Sequence, residues 1–229
     1  MSKDPIIGTL REGSLHTSLK ELYMDDDDAK TEVMVDGYIV DVVKAGLLIE
    51  IQTSNFAQIK EKLFTLFKKY PVRLVHPLSQ KKWIVKQTPN GTSQLDHRLS
   101  PKRCGFVDIF DELVRIPSFI VHPNSSLEVI LIEEEEIRRQ DGKGSWRRRG
   151  WSIVDRKLLE VIDRRVYETP SDFLHFIPDS LERPFTNSML MKSLGISKRL
   201  GQKLTYCLRK MNVLKIVGKE GNALLLDIV

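Results

Sequence analysis

Two apolar segments joined by a short turn carry acidic residues where a sheet would bury hydrophobic side chains, within residues 35–53. If Ala45-Gly46 forms a two-residue hairpin loop, Asp41 stands directly opposite Glu50 on the adjoining strand. Facing like charges are destabilising unless a cation lies between them or one acid is protonated. The side-chain period of two puts Gln52 on the same face as Glu50. The hairpin therefore predicts a divalent-metal site.

Other interpretations of this hairpin stay open. Asp41 could lie at an exposed strand edge, and Glu50 could pair with a lysine from a neighbouring element. The expected register places Lys44 opposite Leu47, but a three-residue loop would shift the pairing and separate the two acids.

Composition indicates a soluble globular protein with one or two hydrophobic cores, since 41% of the 229 residues are hydrophobic and 29% are charged. No apolar run approaches the roughly 20 residues that cross a bilayer, and the N-terminus does not resemble a signal peptide. We expect a cytoplasmic protein without a membrane partner. The two cysteines, Cys104 and Cys207, and the five histidines show no metal-ligand spacing, which argues against zinc hydrolases and disulfide frameworks.

Positive charge is concentrated near the C-terminus. The net charge is +5, yet residues 183–219 contain nine lysines and arginines and no aspartate or glutamate. The rest of the chain therefore carries a net negative charge. A local basic region of this kind is typical of a nucleic-acid contact surface.

Periodicity over residues 1–90 predicts a layered α/β or α+β core. The expected order is a helix at 15–23, strands near 32–43 and 47–53, a helix at 56–69, and strands at 72–77 and 82–86. Residues 91–182 are expected to form a mixed α+β middle region. Its elements are a helix at 106–115, a strand at 127–132 and a helix at 155–165.

A glycine-rich basic loop lies inside that middle region. It runs from Arg138 to Trp151, carries six basic residues, and includes Arg147, Arg148 and Arg149. Such a loop can follow a phosphate backbone while a tryptophan stacks on bases. In the alternative interpretation, the tryptophans anchor the loop and the arginines pair with the acidic residues 133–136.

Residues 183–229 resemble a winged helix-turn-helix domain. The pattern predicts a helix capped by Thr186 or Asn187, a turn at 195–197, a helix from 198 to about 211, and strands at 213–218 and 222–228. In that family the N-terminal part of the second helix reads the major groove. Its exposed residues here would be Lys198, Arg199, Gln202 and Lys203. Many winged helices mediate only protein contacts, which is the alternative.

The first 90 residues resemble the PD-(D/E)XK nuclease superfamily, whose core is a helix, a strand hairpin with Asp…(Asp/Glu)-x-Lys, a second helix and a further strand. Asp41 matches the hairpin aspartate and Glu50 the second acid, whereas Gln52 stands where most members have lysine. The resemblance implies a restriction-endonuclease-like α/β fold, a mixed sheet flanked by helices. The order of this core, a basic insertion and a winged helix also looks like an uncharacterised prokaryotic family of predicted nucleases.

Without this lysine, no residue is assigned to the usual role of stabilising the attacking water electrostatically. Lys60 could replace it, because it borders the apolar stripe of the second predicted helix; a solvated lysine is the alternative. Many members bring a glutamate from the first helix, and Glu12 and Glu21 are both available.

These observations predict a nuclease that hydrolyses DNA, with RNA not excluded, through Mg²⁺ or Mn²⁺ held by Asp41 and Glu50. Gln52 would position the water without supplying positive charge, so turnover should be slow. Double-strand cleavage would call for a homodimer or a larger nucleoprotein assembly, although no segment identifies the contact surface. The opposing hypothesis is an inactive nuclease fold that serves as a DNA-binding, adaptor or transcription-regulatory protein.

Overall fold

A seven-stranded mixed sheet dominates the computed structural model, which describes residues 13–24 and 28–229. The described α-helices are α1 (Ser14–Glu21), α2 (Lys60–Leu66), α3 (Phe110–Leu113), α4 (Asn187–Leu194) and α5 (Lys198–Lys210). The strands are β1 (Lys30–Val35), β2 (Tyr38–Lys44), β3 (Leu47–Ile51), β4 (Val72–Gln87), β5 (Gln94–Leu99), β6 (Ser125–Gln140), β7 (Trp151–Tyr167), β8 (Phe185–Thr186), β9 (Leu214–Glu220) and β10 (Ala223–Ile228).

The strand order across the large sheet is β1-β2-β3-β4-β6-β7, and β5 also pairs with β4. β1, β2 and β3 form an antiparallel meander, whereas β4 runs parallel to both β3 and β6. The chain crosses between β3 and β4 through α2, as a parallel pair requires. The predicted α/β class with a mixed sheet and flanking helices is confirmed.

Each face of the sheet is covered by its own hydrophobic cluster. Leu63 and Leu66 of α2 belong to one cluster, and Leu15 and Leu19 of α1 belong to the other. Successive residues of the central strands alternate between the two clusters, as the pleat requires. None of the helices in the described part of the chain is long and apolar enough to cross a membrane.

The predicted hairpin register is confirmed. Lys44 pairs with Leu47 across Ala45-Gly46, whose φ angles of 47° and 82° fit a tight two-residue turn. The single strand predicted at 32–43 is wrong, because a second turn of the same kind at Asp36-Gly37 divides it into β1 and β2.

The helix predicted at residues 155–165 is also wrong, since these residues belong to β7. This strand pairs with β6 from Tyr167–Leu127 to Trp151–Gln140. Its β-branched valines and isoleucines favour an extended backbone, and pairing along the whole strand outweighs the helical spacing of its leucines. The two strands predicted at 72–77 and 82–86 are the continuous strand β4.

The middle region at 91–182 does not form a sheet of its own. β5, β6 and β7 join the sheet begun by β1–β4, so the expected boundary at residue 90 falls inside one sheet. The short helix predicted at 106–115 is present as a 3₁₀ turn, Phe106–Ile109, followed by α3.

The C-terminal unit contains α4 and α5 at the predicted positions. The Thr186 hydroxyl accepts from the Met189 amide, and the Ser197 hydroxyl accepts from the Leu200 amide, so both predicted caps are formed. Gly195 ends α4 with φ of 63°. A three-stranded sheet, β8-β10-β9, completes the unit. The buried residues Leu204 and Leu208 of α5 share a hydrophobic cluster with Phe110 of α3.

Candidate active site

The two acids of the hairpin lie next to each other, where the regular alternation of β2 breaks. Val40 packs into the α2-side cluster and Val42 into the α1-side cluster, although residues two apart on a strand normally share a face. The paired residues of β2 and β3 run as far as Val42–Ile49, and Asp41 and Glu50 follow directly. The Glu50 carboxyl accepts a hydrogen bond from the Asp41 backbone N–H. The break therefore keeps the backbone of Asp41 beside Glu50, while the Asp41 carboxylate contacts His16 of α1 and the Glu50 carboxylate contacts Lys62 of α2.

Asp41 is held in its ionised form by donors from two elements. The Ile51 amide donates to Oδ2 at 2.8 Å, and Nε2 of His16 in α1 lies 3.3 Å from the same oxygen. Burial alone would raise the pKa of this carboxyl. The contacts with His16 and Ile51, helped by the positive charge of Lys62, outweigh burial and lower the pKa.

The pKa of Glu50 shifts in the opposite direction. The residue is only 3% exposed, and burial, with a contribution from the Asp41 charge, raises its pKa to about 7 despite the nearby Lys62. The Lys62 ammonium lies 2.5 Å from Oε1 of Glu50. Two neighbouring carboxyls with pKa values pushed apart are a frequent feature of functional sites.

Gln52 is engaged in the loop that follows β3. Its amide nitrogen donates to the backbone oxygen of Ser54 and lies 3.4 Å from that of Asn55. Nδ1 of buried His76 is 2.6 Å from the Gln52 carbonyl, so this nitrogen donates, and burial lowers the pKa of His76 to about 4. Gln52 thus fixes the loop beside the acids, a role that the sequence did not suggest.

Lys60 is not the α2 lysine that reaches the acids. Its side chain is exposed, with the ammonium 5.9 Å from the centre of the Phe64 ring. Helix α2 begins at Lys60 rather than at Phe56, so Lys60 is its first residue. Lys62 occupies the expected place instead.

The first helix contributes His16 rather than a glutamate. Glu21 is exposed at the C-terminal end of α1, and Glu12 lies outside the described residues. No spacing between histidines pointed to His16, because its contact depends on how α1 packs against the hairpin. Lys62 gave no signal either, since a lysine on an amphipathic helix is usually solvated.

Asp41 and Glu50 supply carboxylate oxygens, the type of ligand that a hard divalent cation prefers. Within residues 13–24 and 28–229, no group of three or more His, Cys, Asp and Glu side chains is arranged to hold a metal. Mg²⁺ usually takes one or two protein carboxylates and completes its shell with water and substrate phosphate. Asp41 and Glu50 would therefore be the residues that hold it.

The predicted nucleic-acid residues of α5 divide into two groups. Lys198, Arg199 and Gln202 are exposed, as predicted. Lys203 is not free to read a groove, because its ammonium lies 2.6 Å from the Asp111 carboxylate of α3. The exposed stripe of the helix continues instead to Tyr206, which the sequence analysis missed.

The basic loop projects from the end of β6 and β7. Trp146 is 82% exposed, Arg149 is exposed, and Arg148 donates to the Trp151 carbonyl. The side chain of Arg147 lies outside the described residues. Trp151 packs under the Lys86 ammonium at 5.0 Å, so one of the two tryptophans does anchor the loop.

Most of the cations that contact the acidic residues 133–136 come from outside the basic loop. Their described partners are Lys81, Lys82, His97, Arg138 and Arg156. The alternative in which the loop arginines pair with these acids therefore holds for Arg138, which contacts Glu136 at 2.5 Å, but no described contact extends it to Arg148 or Arg149.

Residues 13–168 match a protein family described only as a domain of unknown function, DUF8091. The chain belongs to this family. The DUF8091 match runs from α1 to the end of β7, so it contains the whole seven-stranded sheet and leaves out α4 and α5. The chain is also similar to an uncharacterized protein of Treponema pallidum (strain Nichols), with 37% identity over 156 residues. That alignment covers 68% of this chain and 61% of the relative's length. No solved structure matches the chain.

Proposed function

We propose that this DUF8091 chain is a metal-dependent nuclease that hydrolyses phosphodiester bonds of DNA, with RNA as a further candidate substrate. The observation that carries the proposal is the acid pair: the Asp41 backbone N–H donates to the Glu50 carboxyl, and Glu50 is 3% exposed. Burying two neighbouring carboxyls costs free energy unless a cation or a proton compensates. In a nuclease site, the bound metal ion would provide that compensation.

The order of elements supports the same proposal. α1, the β2–β3 hairpin with both acids, α2, and β4 parallel to β3 follow one another along the chain. This is the order that the resemblance to PD-(D/E)XK nucleases implies. We therefore propose a restriction-endonuclease-like core, extended by β5–β7.

When bound, Mg²⁺ or Mn²⁺ would lower the pKa of a water molecule and neutralise charge at the phosphate. The chain's own residues prepare the site for this. His16 and the Ile51 amide keep Asp41 ionised, and the backbone of Asp41 orients the Glu50 carboxyl.

Lys62 is the positioning residue that replaces the lysine absent at position 52. Its ammonium bonds Glu50 and also the Ile39 carbonyl at 2.5 Å, which fixes it between β2 and β3. Lys62 can therefore supply the positive charge that Gln52 lacks. Because it also competes for Glu50, we expect slow turnover.

The C-terminal unit would act as a winged helix that binds the phosphate backbone. Its exposed cations Lys198 and Arg199 stand at the start of α5, and Gln202 follows on the same helix. Arg148 and Arg149 of the projecting loop would add phosphate contacts near the sheet. Such contacts give affinity that falls with salt and carry little sequence information.

A second candidate function is a catalytically inactive nuclease fold that binds DNA or serves as an adaptor or transcription regulator. One observation favours it: Lys62 already neutralises Glu50, and His16 already contacts Asp41. The acid pair can then persist without a metal ion.

Cleavage in the presence of Mn²⁺ separates the two functions. The purified chain is incubated with single-stranded DNA, duplex DNA and RNA, alongside the Asp41→Asn and Glu50→Gln variants. Asp36→Asn is the matched control, because Asp36 is a hairpin carboxylate paired with Lys69 at 2.7 Å. The nuclease proposal expects cleavage by the wild type and the control and none by the two site variants. Intact nucleic acid in every reaction, with DNA binding retained, would establish the adaptor function instead.

A further inference from the structure

Two adjoining cavities form a groove on the α1 side of the sheet. The larger one, about 450 Å³, is lined by Arg139 and Lys157, and the smaller one, about 200 Å³, reaches His16 and Thr53. Both are also lined by Val154, which makes them one continuous depression. We name it the α1 groove.

The α1 groove ends at the candidate active site. His16 at its inner end lies 3.3 Å from Oδ2 of Asp41. Thr53 follows closely after Ile51, whose amide is bonded to the same oxygen. A chain lying in the groove would therefore reach Asp41 from the side of Arg139 on β6 and Lys157 on β7.

The floor of the α1 groove is apolar because of a bulge in β7. Arg138 pairs with Ile153 and Ile137 pairs with Asp155, so Val154 has no partner on β6. Bulges near functional sites redirect side chains in this way. Ile153 and Val154 are each 40% exposed.

The charges along the α1 groove favour an anionic occupant. Lys157 is exposed, and Arg139 donates to a neutral partner, the Gln87 amide oxygen, at 3.1 Å. Among the lining residues that the structure describes, the one acid is Asp155, which accepts from the Ser14 amide at 3.1 Å and from the Ser14 hydroxyl at 2.5 Å. Positively charged side chains on one side of the groove and aliphatic side chains on its floor suit a nucleic-acid strand, which has charged phosphates and flat bases.

We propose that the α1 groove holds a single strand of nucleic acid and guides its backbone to Asp41 and Glu50. This inference rests on the proposed nuclease function and names its substrate class. Unpaired bases can lie against Ile153 and Val154, whereas the bases of a duplex are stacked inside the helix and cannot reach them. Aliphatic side chains read no base edges, so binding should tolerate any sequence.

Equilibrium binding without metal tests the proposal. Fluorescence anisotropy in EDTA compares a labelled single strand with its duplex, so that no cleavage contributes. Val154→Trp fills the groove and Lys157→Glu reverses its charge. Val166→Trp is the control for the first, because Val166 is also 40% exposed on β7 but does not line the groove. Lys68→Glu, an exposed lysine beyond α2, is the control for the second.

Both groove variants should weaken single-strand binding by about tenfold, while the controls stay close to the wild type. Duplex binding, to which the C-terminal unit contributes, should stay close to the wild type in all four variants. Unchanged single-strand binding by the groove variants, or an equal loss of duplex binding, would overturn the proposal. If Mn²⁺ gives no cleavage but the groove variants still lose single-strand affinity, the nuclease function fails and the groove remains a strand-binding site.

Discussion

The ammonium of Lys62 lies 2.5 Å from Oε1 of Glu50 and 2.5 Å from the carbonyl oxygen of Ile39. It joins α2 to both strands of the acidic hairpin. Lys60, two residues earlier on the same helix, is exposed and contacts Phe64. The two lysines therefore form a natural pair for testing which cation serves the acids.

Replacement of Lys62 should affect cleavage far more than replacement of Lys60. We expect Lys62→Met to lower the Mn²⁺-dependent rate by about a hundredfold, because the site loses its positive charge and the orientation of Glu50. Lys60→Met should stay near the wild-type rate. Initial rates on a single-stranded substrate measure both, and equal losses in the two variants would refute a special role for Lys62.

The high pKa of Glu50 should appear in the pH dependence of stability. Between pH 4.5, the ordinary pKa of the glutamate carboxyl, and about pH 7, the folded protein keeps a proton on Glu50 that the unfolded chain has released. This contribution is present at pH 5 and is lost as the pH rises through 7. The free energy of unfolding of the wild type minus that of Glu50→Gln should fall by at most about 3 kcal/mol from pH 5 to pH 8.

Urea unfolding in EDTA at several pH values measures this difference, in which the other titrating groups cancel. Mn²⁺ added at pH 8 should then stabilise the wild type but not Glu50→Gln, because only the folded acid pair binds it. A difference that stays constant or grows with pH would contradict the assigned burial of an ionisable Glu50.

The Lys203–Asp111 contact should contribute to stability rather than to DNA affinity. Lys203 is 19% exposed and Asp111 is 45% exposed, so the ion pair is partly screened and should contribute about 1 kcal/mol or less. We expect Lys203→Glu to lower the free energy of unfolding by about that amount or slightly more, since it places two like charges together.

Lys198→Glu is the control, because Lys198 is exposed at the start of the same helix. It places a carboxylate at the N-terminal end of α5, so stability should stay unchanged or rise slightly, and the slope of log affinity against log salt should flatten. Lys203→Glu should alter that slope less. Unfolding curves and salt titrations of the two variants decide the question. The opposite pattern would mean that Lys203 leaves Asp111 to contact DNA.

Features set by a few neighbouring residues could be predicted from the sequence. Ala45-Gly46 adopts the tight turn and fixes the register that brings Asp41 to Glu50. Thr186 and Ser197 cap α4 and α5 as expected. Each of these features depends mainly on the backbone preferences of residues within one turn, so it could be predicted without knowledge of distant contacts.

Features that depend on distant partners could not be predicted. Residues 155–165 have helical spacing, but pairing with β6 makes them a strand. Lys203 meets Asp111, which is 92 residues away in sequence, because a shared hydrophobic cluster docks α5 against α3. His16 likewise reaches Asp41 only because Leu15 and Leu19 fix α1 on the sheet. None of these contacts can be inferred from the spacing of residues along the chain.

The most direct measurement is the anomalous diffraction of crystals soaked in Mn²⁺. We expect a metal peak roughly 2–2.3 Å from oxygens of both Asp41 and Glu50, with Lys62 moved away from Oε1 of Glu50. A crystal that shows no peak between the two acids, with the Lys62 ammonium still bonded to Glu50, would contradict the metal site on which the proposed function depends.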